Sequence, residues 1–360
     1  MLAVGGSIEH LVIVSLIVVV AFVFDFINGF HDSANSIATV VSTRVLSPKY
    51  AVIWAAFFNF LAVFVGMGVA KTISETLDPS VATSQVIFAA LLSAIVWNLI
   101  TWYYGIPSSS SHGLVGGLLG AGFTAAGFSL SVLKWEAIKK PLIGIALAPT
   151  LCLGLGFIFM LTILWICRNY HPSPLNRVFK KLQLLSSGVY SLSHGGNDAQ
   201  KTVGVICALL VGEKYLVPAD ASKGLQSNEI PYWAIICAFM AIALGTLTGG
   251  WRIVKTMGSK ITKLRPVDGF AAETAGGVIL LALSKFGMPV STTHSIAGAI
   301  MGVGATKRLS AVRWGISARI VWAWILTIPA SAGIAMLCYW ATHAGVKAYQ
   351  SLFPGATPVP

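Results

Sequence analysis

"GIPSSSSHGLVGGLLGAG", residues 105–122, follows a charge-free run from Ser84 to Tyr104. A helix of that length and composition can cross a bilayer. Here it gives way at once to a glycine, a proline, four serines and a histidine. A Gly-x-Pro break inside a membrane frees backbone N–H groups, and the start of the next helix adds more. All of them need partners from protein, ligand or water. Hydroxyls beside a helix N-terminus suit an anion. The stretch therefore predicts a broken helix or helical hairpin near the bilayer midplane.

The rest of the chain fits a membrane setting. It has 360 residues, 56% hydrophobic and only 10% charged, which excludes a soluble globular domain. Residues 50–70, 84–104, 141–167, 231–251 and 320–342 contain no Asp, Glu, Lys or Arg, and the alternating ten-residue segments of a β-barrel are absent. An all-α polytopic membrane protein is expected. The net charge of +12 resides in short connections, where basic residues mark cytoplasmic loops, so no nucleic-acid partner is expected. Cys152, Cys167, Cys207, Cys237 and Cys338 have no metal-ligand spacing and read as packing residues, so neither a metal nor a cofactor is expected. The N-terminus lacks a basic region and a cleavage site ahead of its apolar run, which reads as a retained first helix.

The opening stretch recurs as "GMPVSTTHSIAGAIMGVG", residues 287–304, with seven identities in eighteen positions, among them Pro107/Pro289, Ser109/Ser291 and His112/His294. Upstream, "GFHDSANSIA" (29–38) pairs with "GGNDAQKTVG" (195–204), setting Asp32 opposite Asp198 and Asn35 opposite Lys201. Two motifs in the same order indicate a duplication. Its parts are residues 1–167, a short basic cytoplasmic linker at 168–181, and residues 182–360. Basic residues at 43–49, 168–181, 252–265 and 307–313 should share the cytoplasmic side. With about five crossings per half, both termini lie outside and the second repeat is inverted. Lys134, Lys139 and Lys140 then fall outside, against the rule. Inverted repeats with breaks at matching positions are the pattern of secondary transporters, which bind substrate between the repeats.

An aspartate inside a membrane helix costs about 2.5–3.5 kcal/mol on insertion scales, so Asp32 and Asp198 are the foremost site candidates. Asp25 lies about two turns before Asp32. Around the pair stand His31, Ser33 and Asn35 in one half and Asn197, Gln200, Lys201 and Thr202 in the other. Carboxylate with amide and hydroxyl oxygens suits Na⁺, and a carboxylate alone can carry a proton; both stay open. Lys201 can pair an anionic substrate or Asp198. Ser108 to Ser111 and Ser291, Thr292 and Thr293 line the breaks, and the alternative for them is close helix packing. His112, His294 and Glu273 are candidates for carrying the coupling ion, while Asn59 and Asn98 can equally serve helix packing.

With these residues in view, the chain resembles the inorganic phosphate transporter family, the Pit-type permeases. The carrying motifs are "NGFHDSANSIATVVSTRVLSP", "GGNDAQKTVGVI", PSSSSH and PVSTTH, spread over nearly the whole length. The resemblance implies a phosphate symporter of inverted repeats in the cytoplasmic membrane, and a homodimer. It implies phosphate-site roles for Asp32, Asn35, Ser109, Ser110, Ser111, Asn197, Asp198, Ser291, Thr292 and Thr293. Coupling-ion candidates are Asp32, Asp198, His31, Lys201, Glu273, His112 and His294. Sodium-coupled and proton-coupled members both exist. A glutamate of the animal members aligns with Asn59 and is lost here, whereas the one aligned with Glu273 is kept, and likeness to the short bacterial members favours protons. Some of those carry phosphate as a neutral complex with a divalent metal. Alternatives are a sulfate or other oxyanion permease on the same fold, an oxyanion channel or sensor, and an intramembrane hydrolase. Symmetric chemistry in the two motifs speaks against the last, so no enzyme is expected.

Overall fold

The computed structural model describes residues 8–64, 66–129, 135–220 and 225–352. The first half holds α1 (Ile8–Ser42), α2 (Pro48–Leu61), α3 (Gly68–Ser74), α4 (Ser84–Tyr104), α5 (Ser110–Ala125) and α6 (Trp135–Ile166). The second half repeats that order as α7 (Pro172–Gly212), α8 (Tyr232–Thr248), α9 (Trp251–Lys255, continued by a π turn, Thr256–Lys260), α10 (Pro266–Lys285), α11 (Thr292–Ala305) and α12 (Trp314–Leu352). Five of these segments are long and apolar enough to span a bilayer unaided: Ile8–Ser42, Ser84–Tyr104, Leu142–Ile166, Pro266–Lys285 and Trp314–Leu352. Two more are broken pairs, bent by 79° between Pro48–Phe64 and Gly68–Ser74 and by 62° between Tyr232–Thr248 and Trp251–Lys260.

The serine-rich stretch forms the helical hairpin its break predicts and does not complete a crossing of its own, which the count of five crossings per half had required. It folds α4 and α5 into a hairpin, with Ala94 beside Gly113 and Ala90 beside Gly117. α4 runs alongside α1, and its last turn lies level with His31, whose Nε2 is 3.0 Å from Thr101 Oγ1. Since α1 continues for eleven residues to Ser42, the turn stops about 16 Å short of its end at 1.5 Å per residue. In the second half α10 runs alongside α7 and ends where Ser284 Oγ accepts from Asn197 Nδ2 at 3.1 Å. Hydropathy does not distinguish a hairpin that turns back from two crossings, because both bury the same apolar surface. Replacing two crossings with a re-entrant pair leaves the parity odd, so the inversion of the repeats survives.

Each hairpin turns through a Schellman motif, the helix ending in which a left-handed residue lets two N–H groups reach back. Gly105 (φ 65°) donates to Trp102 O and Ile106 N to Thr101 O, both at 2.9 Å. Gly287 (φ 64°) and Met288 do the same to Ser284 O and Leu283 O at 2.9 and 3.1 Å. Pro107 and Pro289 then prevent the helix from resuming. The halves interlock: α5 packs on α12 and α11 on α6. Small residues make these contacts possible, since a Cβ on Gly120 would lie 2.4 Å from Ala332 O and one on Gly302 would lie 2.1 Å from Leu153 O.

The four basic loops gather on one face: Thr43 Oγ1 lies 2.9 Å from Gln183 Oε1, residues of 167–179 and 264–267 line one cavity, and Arg313 N donates to Ile261 O and Lys307 Nζ to Lys263 O, both at 3.0 Å. Two details differ from the sequence reading. Most of 168–181 is helix, because α7 starts at Pro172, a residue suited to a first helical position with its fixed φ and missing N–H. Arg252 is not in a loop but opens α9, where its guanidinium donates to Tyr103 O at the C-terminal end of α4 and lies 5.2 Å from the Trp102 ring centre. Lys134 lies outside the described residues, as do the side chains of residues 135–138, 140 and 141.

Gly120→Val and Gly302→Val should each destabilise the fold by about 2 kcal/mol or more, since the facing element is backbone and cannot yield. Thermal unfolding in detergent reads this, and midpoints equal to wild type would contradict the packing.

Candidate functional site

The two hairpin tips and the middles of α1 and α7 meet, and the contacts obey the sequence repeat. Asp32 Oδ2 accepts from Ser110 Oγ at 2.8 Å, and Asp198 Oδ2 accepts from Thr292 Oγ1 at 3.3 Å, so each carboxylate takes the aligned hydroxyl of its own half. Between halves, Asn35 Nδ2 donates to Thr293 Oγ1 at 2.8 Å and to Thr292 Oγ1 at 3.2 Å, while its aligned partner Lys201 donates to Ser111 Oγ. Ser109 and Ser291 cap α5 and α11, each accepting at 3.2 Å from the N–H of the following histidine, His112 or His294. Each hydroxyl proton of the two caps is still available for donation.

The carboxylates are close. Ligand atoms of Asp32, Asp198 and His194 all lie within 4.8 Å of one another, and all three residues are buried. Two negative groups so near one another away from water need compensation, and the local hydrogen bonds supply much of it. His31 Nδ1 stands 2.6 Å from Asp32 Oδ1. Asp198 Oδ1 accepts from Lys201 Nζ, and its Oδ2 lies 3.3 Å from His194 Nε2. His194 is held in turn by Asn59, with Nδ1 to Oδ1 at 3.1 Å. Asp32 is 2% exposed and Asp198 0%, so the site is closed to both faces in this conformation. A cavity of about 830 Å³ lies elsewhere, between the end of α6 and the starts of α7 and α10.

Other candidates stand apart from this centre. Glu273 forms its own cluster nearer the basic face, accepting from Thr39 Oγ1 at 2.6 Å, Gln183 Nε2 at 3.1 Å and Ser186 Oγ at 2.5 Å. Thr39 is one turn beyond Asn35, so α1 links the two. Asn197 turns toward Ser284 and not toward Asp198. His112 and His294 pack edge to face with ring centres 4.5 Å apart, and no ring nitrogen of either has a hydrogen-bond partner.

Three contributors escaped the sequence reading. Asn28 Oδ1 lies 2.5 Å from Ser110 Oγ, His194 supports Asp198, and Thr101 holds His31. Asn28 and His194 occupy aligned positions one residue ahead of the paired decapeptides, four residues before each aspartate. Extending that alignment by a single residue reveals a matched polar pair on the face of each carboxylate.

A duplicated helical protein that seals paired carboxylates and two broken-helix tips between its halves is built as a membrane transporter. Comparison with known proteins agrees. The chain matches the phosphate transporter family twice, over residues 28–176 and 167–335, once per half. It is 53% identical over 327 residues to a "Probable low-affinity inorganic phosphate transporter" of Rhizobium meliloti (strain 1021), covering 90% of this chain and 95% of that one. A protein of the same description from Bacillus subtilis (strain 168) is 43% identical over 332 residues, with 91% and 97% covered. A solved structure described as "The sodium-dependent phosphate transporter" superposes with a TM-score of 0.80 at 26% identity, covering 92% of this chain and 99% of that chain. The chain belongs to the phosphate transporter family; it is a multi-pass inorganic phosphate transporter and not an enzyme.

Ser109→Ala and Ser291→Ala should each cost about 1 kcal/mol through loss of a helix cap. Chemical unfolding measures it, and unchanged stability in both would contradict the capping geometry.

Proposed function

We propose that the chain is a symporter that takes up inorganic phosphate across the cytoplasmic membrane, with the basic face inside, both termini outside, and a proton as the favoured coupling ion. The observation that carries this reading is the meeting of Asp32 and Asp198, one from each inverted repeat, at the capped N-termini of α5 and α11. Phosphate binding is assigned to Ser110, Ser111, Thr292 and Thr293 together with the tips' backbone N–H groups, supported by Asn35. Phosphate retains a proton at neutral pH, so a carboxylate can accept a hydrogen bond from it, whereas sulfate offers only repulsion. That contrast favours phosphate over sulfate.

An anion beside two buried carboxylates is unfavourable unless a cation enters with it. Each then raises the affinity for the other, which is the thermodynamic content of coupling. The short contact between His31 and Asp32 supports a proton as that cation, because an imidazole–carboxylate pair can hold one. The sodium dependence of the structural relative keeps Na⁺ as the alternative.

Phosphate uptake into proteoliposomes, with proton and sodium gradients imposed separately, tests the reading. Concentrative uptake should follow the proton gradient and resist excess sulfate; uptake that never exceeds equilibration, or strong sulfate competition, would contradict it. Asp32→Asn and Asp198→Asn should abolish uptake with the protein still inserted. Ser110→Ala should raise the half-saturating phosphate concentration about tenfold, the loss expected for one hydrogen bond to a charged group.

A further inference from the structure

Lys201 is the part of the site that its two-fold partner does not explain. At the aligned position in α1 stands a neutral carboxamide, Asn35, whereas α7 carries an ammonium that is 1% exposed. Its three N–H donors meet three different oxygens: Ser111 Oγ at the start of α5, Asp198 Oδ1, and the carbonyl of Val290 ahead of α11 at 3.2 Å. Carboxylate, hydroxyl and backbone carbonyl are the donors a small hard cation takes. Here a tethered ammonium sits among them, with every proton accepted and its charge matched, the condition under which a buried cation is tolerated.

We propose that Lys201 is a resident cation: it permanently fills, on the Asp198 side, the place a transported cation would otherwise occupy, so that the mobile coupling ion is taken up on the Asp32 side alone. This rests on the coupled-transport reading above. Three buried carboxylates share the region, because Asp25 lies beside Asn28, Thr202, Asp198 and Lys201. Among the described residues Lys201 is the only lysine or arginine bonded there. The Lys201 and Asp198 charges cancel, so the carboxylates left without a bonded ammonium are the two on α1, Asp25 and Asp32, and of these Asp32 is the one at the hairpin tips. The aspartates are equivalent in the repeat and unequal in task. Asp198 is held, and Asp32 gains and releases the cation. The tether also spans the halves, because one ammonium bonds the tip of α5 and the turn before α11 together.

The test compares Asp32→Asn with the double variant Asp32→Asn/Lys201→Asn, in which the oxygen cage has lost its built-in cation and carries the residue of the first half. Thermal unfolding in detergent, without phosphate, is measured in sodium and in choline. Sodium should leave the midpoint of the single variant unchanged and raise that of the double variant by a few degrees. A sodium response in Asp32→Asn alone, or none in the double variant, overturns the proposal. Uptake by Lys201→Asn gives a second readout, and carries the test alone if the double variant cannot be recovered. In choline it should fall at least about tenfold, the scale of breaking a buried ion pair, and sodium should restore part of it. Wild-type uptake in choline, or loss that sodium does not relieve, overturns the proposal. The unfolding arm needs no transported substrate, so failure of coupled uptake in the wild type is distinguishable from failure of this inference.

Discussion

Two carboxylates within 4.8 Å of one another, shut away from water, are the constraint around which this protein is organised. Their repulsion is acceptable only if every oxygen has a partner and the region contains positive charge or protons. The hairpins meet the first demand by bringing Ser110 to Asp32 and Thr292 to Asp198. Histidines and Lys201 meet the second. The Schellman turns, the capping serines and the glycine stripes on α5 and α11 follow from placing two helix N-termini deep between the faces with their backbone groups satisfied.

Lys201 apart, the contacts at the centre obey the repeat, and away from it the halves differ. Carrying the Glu273 cluster through the two-fold alignment sends Glu273 to Leu91, Gln183 to Ile17, Ser186 to Val20 and Thr39 to Val205. Leu91, Ile17 and Val205 belong to one buried apolar cluster, with Val20 packed against it. The positions between the site and the basic face therefore hold a buried carboxylate, amide and hydroxyls, while the four aligned positions toward the other face hold hydrocarbon. Asn59, which holds His194, corresponds in the same way to Ile242: the backbone carbonyl of each faces an aligned glycine, Gly195 or Gly29. Such differences give the two directions of opening different energies even though the central contacts match.

What the sequence revealed was whatever the duplication wrote twice. Asp32 with Asp198, and the hydroxyls after each Gly-x-Pro, stood out because the same chemistry at the same offset is improbable in lipid-facing helices. The break after Tyr104 was legible as a broken helix or hairpin, but the number of crossings was not, because a 21-residue apolar helix reads identically whether it crosses or turns back. The start of α7 was hidden by its charge, since Arg177, Lys180 and Lys181 read as loop while the helix begins at Pro172. Glu273 was visible as a lone intramembrane acid, but its partners Thr39, Gln183 and Ser186 lie on two other helices, and no spacing along the chain links them.

The most direct test of a single shared oxyanion pocket uses arsenate, which has the shape and protonation of phosphate and a strong anomalous signal. In crystals grown with arsenate, one arsenic peak should lie between the N-termini of α5 and α11, within about 6 Å of both Asp32 and Asp198, a distance set by one oxyanion hydrogen-bonded to each side. Separate peaks in the two halves, or a peak away from both aspartates, would contradict the account.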